Sequence, residues 1–394
     1  MAPKTSRRLS ELSAYAFIEL DQEVARLQAE GIGPIDFGVG DPTEPTPEVV
    51  RAAIKEGVDR RAAEGYPSNS GSPEFRGAIA NWIMRRFGVA LDPEREVCAS
   101  IGSKEAIFNF PKAFVDPGDV VLVPNPGYPP YVRGTGFLGG EVYYLNLLPE
   151  NNFLPDLDSI PPDVCSRAKV LWINYPNNPT GALAPRHFLE KVVDFGRRHD
   201  IIVAADEAYI ESYYGDPPPS ILELAREGVV AFHSLSKRSC MTGYRIGWVA
   251  GDAQIIEAFK KLKTNIDSGV PTFIQDAAVA ALSDEGHVGQ LRGLYQRKRD
   301  LLVNALMDAG LPECRPQATI YIWQRIPEGH TSVSFAKRLL DPRMAIVTMP
   351  GSWLSEVTPT GNPGEGFVRM ALSPGLEECE LAASRIRQHL RLKP

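Results

Sequence analysis

From about residue 98 to residue 250 the chain alternates short apolar runs with amphipathic stretches. The apolar runs stand at Asp119–Pro124, Glu141–Leu147, Lys169–Asn174, Ile201–Asp206, Val229–Ser234 and Tyr244–Ala250. Most are too short for helices, rich in Val and Ile, and bounded by Pro, Gly, Asn or Asp, so they predict buried strands. Between two of them, Pro185 to His199 carries Phe188, Val192 and Phe195 on one helical face, with Pro in the permitted first turn. Strands alternating with helices predict a mostly parallel sheet covered on both faces.

After about residue 251 the pattern changes. Helical periodicity covers Ala253–Thr264, Phe273–Ser283 and Val288–Ala309; strand-like runs follow at Ala318–Arg325, Ala345–Thr348 and Phe367–Ala371. A helix is expected near Val333–Leu340. Another closes the chain, with Cys379, Ala382, Ile386 and Leu390 on one face. The expected fold class is α/β: a large domain over residues 46–280, and a smaller α+β domain built from residues 1–45 and 281–394. The cleft between them is the expected site.

Composition narrows the function classes. The 394 residues are 43% hydrophobic, enough for a sizeable core, and 42 Lys+Arg stand against 49 Asp+Glu for a net charge of −7. That balance argues against a nucleic-acid partner, which needs a basic face to neutralise phosphates. Doublets such as Arg7-Arg8 and Arg85-Arg86 are scattered and read as solvated helix faces. No apolar run approaches the ~18–20 residues of a membrane span, and the start has no secretory pattern. Five cysteines without a Cys-x-x-Cys give neither a disulfide framework nor a zinc site. No metal is expected, and a reducing cytoplasm is the expected location.

One motif is set aside. Gly134-Thr135-Gly136-Phe137-Leu138-Gly139 matches G-x-G-x-x-G, but it precedes a predicted strand instead of following one. The fingerprint binds pyrophosphate only when it opens a helix after a strand.

The informative stretch is Ser234-Leu235-Ser236-Lys237, followed eight residues later by Arg245. Lysine forms Schiff bases with aldehydes once its amine sheds a proton, and two hydroxyls with an arginine fork suit a dianionic phosphate. Asp206 ends a predicted central strand, where open α/β sheets bind ligands, and a buried carboxylate there calls for a partner such as a pyridinium N–H. Tyr209 follows three residues later. Asn178 lies in the turn-rich loop Pro176–Gly181, at the end of another strand. Gly102-Ser103-Lys104 opens a helix with free N–H groups for an anion, and Tyr128 follows a further strand, suited to stacking on a flat ring. A phosphate cradle, a stacking ring, two partners for a phenolic oxygen, an acid and a lysine together describe a pyridoxal phosphate site.

The same set resembles the class I/II aminotransferases, fold type I of the pyridoxal-phosphate enzymes, over about residues 12 to 391. Its most specific parts are Asn178-Pro179-Thr180-Gly181, Asp206-Glu207-Ala208-Tyr209, Ser234 to Arg245, and Arg369 in Gly366-Phe367-Val368-Arg369. The resemblance implies that Lys237 carries the cofactor and then moves the substrate proton, with Asp206 on the pyridine nitrogen. It implies that Tyr209 and Asn178 hold the phenolic oxygen, and that Tyr128 stacks on the ring. Ser103, Lys104, Ser234, Ser236 and Arg245 match phosphate-binding positions. Tyr66 matches a tyrosine that reaches the phosphate of a neighbouring subunit, which implies a homodimer with shared sites. Arg369 matches the grip on the substrate α-carboxylate. Gly40 matches a position where substrate passes close to backbone.

For the amino acid and 2-oxo acid substrates, Tyr15, the segment Asn265–Gly269 and Ser234–Ser239 are similar to the branch that acts on LL-diaminopimelate. Phe232–Ser239 with Asn152–Asp156 is equally similar to N-succinyl-diaminopimelate aminotransferases, and both use glutamate and 2-oxoglutarate in lysine biosynthesis. Alanine or aromatic aminotransferases, and a lyase of the same fold, stay open at this point.

Overall fold

The computed structural model describes residues 3–10, 18–390 and 392. Its main sheet has seven strands: β2 (Val97–Ser100), β3 (Val120–Asn125), β4 (Glu141–Asn146), β5 (Ala168–Asn174), β6 (Ile202–Asp206), β7 (Val229–Ser234) and β8 (Gly247–Gly251). Their order is β2-β8-β7-β6-β5-β3-β4. Every neighbouring pair from β7 to β4 is parallel, and only β8 runs against its neighbours.

The apolar runs are continuous because both faces of the sheet are covered. Alternation is still legible in which core each residue joins. Leu171, Ile173, Val203, Ala205 and Ala231 pack on one face. Val170, Trp172, Ala204, Val230 and Phe232 pack on the other. The helix Arg186–His199 covers the first face with Phe188, Leu189, Val192 and Phe195, and Asp200 ends it in a left-handed conformation at φ +54°.

Two smaller sheets complete the fold. Strand β1 (Ile35–Asp36) pairs in parallel with β10 (Ile346–Val347). Strands β11 (Met349–Pro350), β12 (Phe367–Ala371) and β9 (Tyr321–Arg325) form an antiparallel sheet with β12 in the middle. The helices Gly286–Asp308 and Leu376–His389 share a separate core with these strands. Among the described residues no helix is long and apolar enough to cross a membrane.

Two details here depart from the sequence reading. The expected run Tyr244–Ala250 starts its strand only at Gly247, because Thr242–Tyr244 forms a 3₁₀ turn and Arg245 is left-handed at φ +52°. In keeping with its rejection as a dinucleotide fingerprint, the Gly134–Gly139 motif lies in the helix Pro129–Leu138 and its cap, not at a strand–helix turn. A Cβ on Gly134 would sit 2.6 Å from the Phe108 carbonyl oxygen, so this glycine lets two helices approach. Before residue 97 the pattern assigned no element, yet helices Ile18–Ala29, Glu48–Arg60 and Pro73–Phe87 are present. The last has its own stop and start signals: Ser72 accepts from the Phe75 N–H at 3.1 Å, Pro73 opens it, and Gly88 closes it at φ +70°.

Behind the carboxyl end of β6, the Glu207 Oε2 lies 3.5 Å from Nε2 of His233 on β7. Among the described residues neither atom has a hydrogen-bond partner, and His233 is packed between Trp82 and Trp248. Burial pushes Glu207 up to about 8 and His233 down to about 3, so near neutral pH both are uncharged. A carboxyl whose folded value is raised holds a proton that the unfolded chain releases. Its contribution is therefore full below the unfolded value near 4.5 and is lost as pH rises toward about 8. Glu207→Gln cannot titrate. Its melting temperature relative to the parent should climb between pH 5 and 8.5, read by thermal denaturation of the cofactor-saturated protein. Parallel curves would remove the assignment.

Candidate active site

Parallel strands bring their carboxyl ends to one edge of the sheet, and five of those ends converge. Asp206 stands at the end of β6, fourth of seven strands, and Asn174 lies opposite it in register on β5. Ser234 ends β7; Ser100 and Asn125 end β2 and β3, just before Gly102–Lys104 and Tyr128. A cleft of about 630 Å³ opens here, bounded on its other side by Tyr321 of β9 and Arg369 of β12. That size suits a cofactor with a small substrate.

Asp206 is buried. Its Oδ2 accepts from the Tyr131 hydroxyl at 2.6 Å and its Oδ1 from the Ala208 N–H at 3.1 Å. Burial is the largest influence and raises the carboxyl to about 6, against the two hydrogen bonds. An aromatic N–H⁺ beside it would favour the carboxylate and would itself be kept protonated. Tyr131 was not singled out from the sequence. Its signal was its place three residues after Tyr128 at the start of a proline-led helix, which puts both rings on one face. It stacks on Trp172 at 4.8 Å and 21°.

Asn178 is fixed by its surroundings. Asn174 donates to the Asp206 carbonyl at 2.8 Å and accepts from the Asn178 N–H at 2.9 Å. The Asn178 Oδ1 accepts from Nη1 of Arg369 at 3.1 Å, which leaves its NH₂ as a donor. Tyr209 is buried, and its hydroxyl is 2.8 Å from that of Tyr321, a second residue the sequence reading missed.

Lys237 follows β7 in the short helix Leu235–Arg238, and its Nζ donates to the Gly40 carbonyl at 2.6 Å. Burial lowers its ammonium to about 8, with Asp41 opposing. Roughly a tenth of the amine is thus free at pH 7, far more than for an ordinary lysine, and the free amine is the form a nucleophile requires. Beside it, Ser103, Lys104, Ser234, Ser236 and Arg245 line the cleft. The helix Gly102–Asn109 has no side-chain cap on its first N–H groups. Gly102 is left-handed at φ +70°, and a Cβ there would lie 2.4 Å from an Arg245 Nη. This cradle of hydroxyls, N–H groups and a guanidinium fits a phosphate.

Arg369 is buried with its guanidinium 4.5 Å over the Tyr321 ring, a contact worth about 2 kcal/mol when desolvated. Its Nη2 donates to the Gly38 carbonyl at 2.8 Å and its Nε has no partner. Among the described residues it has no carboxylate within ion-pair distance. Gly40 lines the cleft, and a Cβ there would fall 2.1 Å from the Tyr321 hydroxyl, so its missing side chain makes room for Tyr321. Two expected residues stand apart from the rest. Tyr66 is 92% exposed and does not line the cleft of its own chain; Tyr15 lies outside the described residues.

Comparison with known proteins agrees with this geometry. The family model described as aminotransferase class I and II matches residues 32–386. The LL-diaminopimelate aminotransferase of Nitratidesulfovibrio vulgaris strain Hildenborough is 47% identical over 389 residues, 97% of this chain and 98% of that protein. The crystal structure of an aminotransferase from Neisseria meningitidis superposes with a TM-score of 0.91 at 33% identity, covering 98% of this chain and all of that one. A probable N-succinyldiaminopimelate aminotransferase from Thermus thermophilus gives 0.87 at 32% identity, over 95% and 99% of the two chains. The chain belongs to the class I and II aminotransferases, pyridoxal-phosphate-dependent enzymes that move an amino group between amino acids and 2-oxo acids.

Proposed function

We propose that the protein transfers an amino group between LL-diaminopimelate and 2-oxoglutarate in lysine biosynthesis. The observation that carries the transaminase chemistry is the convergence of Lys237, Asp206 and the unpartnered Arg369 Nε in one cleft. The choice of substrate rests on the 47% identity with a relative of that name. It is supported by Asp41 and Lys104, exposed charges of opposite sign that line the same cleft. One of each sign suits a substrate whose far end carries both an ammonium and a carboxylate. An N-succinylated amine would offer no ammonium.

When bound, pyridoxal phosphate supplies an electron sink that acidifies the Cα–H of the amino acid. In our reading Asp206 holds the proton at the pyridine nitrogen, with Tyr131 fixing the carboxylate. The Asn178 NH₂ and the Tyr209 hydroxyl donate toward the ring oxygen. Tyr128 covers one face of the ring, and Ser103, the backbone N–H of Lys104, Ser234, Ser236 and Arg245 bind the phosphate. Lys237 takes the proton from Cα and returns it. Arg369 holds the α-carboxylate through two N–H groups, and Gly40 gives backbone room beside it.

The same reading takes residues 46–280 as the large domain, and residues 1–45 with 281–394 as the small one. It places Tyr66 in the phosphate site of a second copy, in a homodimer. The exposure of this large side chain supports that placement. Five free cysteines are in keeping with a reducing cytoplasm.

Three measurements test the reading. A coupled assay over LL- and meso-diaminopimelate, N-succinyl-LL-diaminopimelate, alanine, aspartate and aromatic amino acids should give the highest kcat/KM with LL-diaminopimelate. A higher value with the succinylated compound would transfer the assignment to that branch. Borohydride reduction of the yellow protein should fix a pyridoxyl group on Lys237, and a label mapped to another lysine would end its role. Arg369→Lys keeps the charge but loses the two-point grip, so glutamate should bind at least about tenfold more weakly while the cofactor stays bound. Arg245→Gln should instead lose cofactor on dialysis. The reverse pattern would exchange the two arginines.

A further inference from the structure

We propose that Tyr321 is a positioning residue for transamination: it donates to the Tyr209 oxygen and so turns the single Tyr209 proton toward the cofactor's ring oxygen. This inference rests on the reading of Tyr209 as a ring-oxygen donor.

The two hydroxyls are 2.8 Å apart and either can be the donor. Each has one proton. If Tyr209 spends its proton on Tyr321, it shows only lone pairs to the cleft; if Tyr321 donates, the Tyr209 proton is free. Two features favour the second arrangement. The Arg369 guanidinium lies over the Tyr321 ring, and a cation there withdraws charge from the oxygen, making the O–H a stronger donor and the oxygen a weaker acceptor. Gly40 closes in on the same hydroxyl, and among the described residues its one hydrogen-bond partner is Tyr209.

The arrangement has a counterpart at Asn178. Arg369 takes the amide oxygen and leaves the NH₂ to donate. Arg369 and Tyr321 sit on the paired strands β12 and β9, where Arg369 is opposite Trp323 and Ala371 is opposite Tyr321. Both ring-oxygen donors are therefore oriented from one small sheet, the sheet that also binds the substrate carboxylate. Tyr321 is thus placed to make the proton affinity of the cofactor depend on the position of that sheet.

Tyr321→Phe tests this in the cofactor-loaded protein, because it keeps the ring under Arg369 and removes one hydroxyl. The charged groups around Tyr209, namely Arg369, Asp206 and Lys237, are unchanged. The midpoint of the pH-dependent change in visible absorbance should rise by about half a pH unit, since a weaker Tyr209 donor stabilises the ring oxyanion less. The kcat should fall about threefold to tenfold, with the KM for the amino donor within about twofold. Tyr209→Phe, run alongside, should move the midpoint further, and the double variant should move it no more than Tyr209→Phe alone.

An unchanged midpoint in Tyr321→Phe beside a shifted Tyr209→Phe would overturn the proposal and leave the reading of Tyr209 standing. So would a raised KM with an unchanged midpoint, which would place the hydroxyl's effect on Arg369. A Tyr209→Phe variant with no shift would remove both.

Discussion

A carboxylate buried at the end of the middle strand is the constraint around which this structure is arranged. Asp206 has almost no solvent, and burial alone drives its carboxyl toward the neutral form. Leaving such a group without partners costs several kcal/mol, so the sequence surrounds it. Tyr131 and the Ala208 N–H take one oxygen each, while Asn174 fastens the Asp206 carbonyl from the next strand. These contacts need Asn174 and Asp206 in register at the same edge of the sheet. That register in turn needs the parallel pairing of β5 with β6 and its two apolar faces. Among the described residues no cation pairs with this carboxylate, and a bound cationic ring would supply the counter-charge.

Charges that the cofactor does not meet are handled in two other ways. Next to Asp206, Glu207 and His233 are both held neutral by burial, so no second full charge competes beside that carboxylate. Beneath the phosphate cradle, Lys263 is fully buried but paired with Asp267 and, at 3.4 Å, with Glu105. Glu105 belongs to the helix that starts at Gly102, and Asp267 also accepts from Asn69 through its carbonyl. A buried ammonium thus ties the anion-binding helix to two surface segments. Removing one member of such a group is costly because it strands the others, so the tie fixes geometry more than it adds net stability.

The strands of the large sheet were legible because apolar runs too short for helices have one reading when helical stretches separate them. The site was legible for the same reason: parallel strands expose their carboxyl ends together, so Asp206, Asn178 and Ser234 could be grouped before any contact was known. The resemblance to aminotransferases supplied the roles. Tyr131 and Tyr321 escaped because their chemistry comes from partners 75 and 112 residues away in the chain, Asp206 and Tyr209. Neither lies in a local motif. The start of β8 was misplaced at Tyr244 because a hydrophobic count does not register a left-handed Arg245, whose turn returns the guanidinium to Gly102. Of the helices before residue 97, Pro73–Phe87 carried cap signals at both ends, whereas Glu48–Arg60 has no side-chain cap to announce it.

The segment Gly38–Gly40 explains how two cations can wait in a cleft without being neutralised. Arg369 donates to the Gly38 carbonyl and Lys237 to the Gly40 carbonyl, while Ser373 takes the carbonyl of Val39 between them. A carbonyl oxygen satisfies a donor but carries no formal charge, so the field of each cation still reaches the cleft. A carboxylate partner in the same places would have cancelled that field and raised the lysine toward its ordinary range. Burial lowers the Lys237 ammonium, and a carbonyl partner leaves that shift in place, while the Nε of Arg369 has no partner at all. Glycine is required at position 40, because Tyr321 occupies the space that a side chain would take. Backbone polarity thus holds both groups in place while leaving the cleft a positive field that suits an anionic ligand.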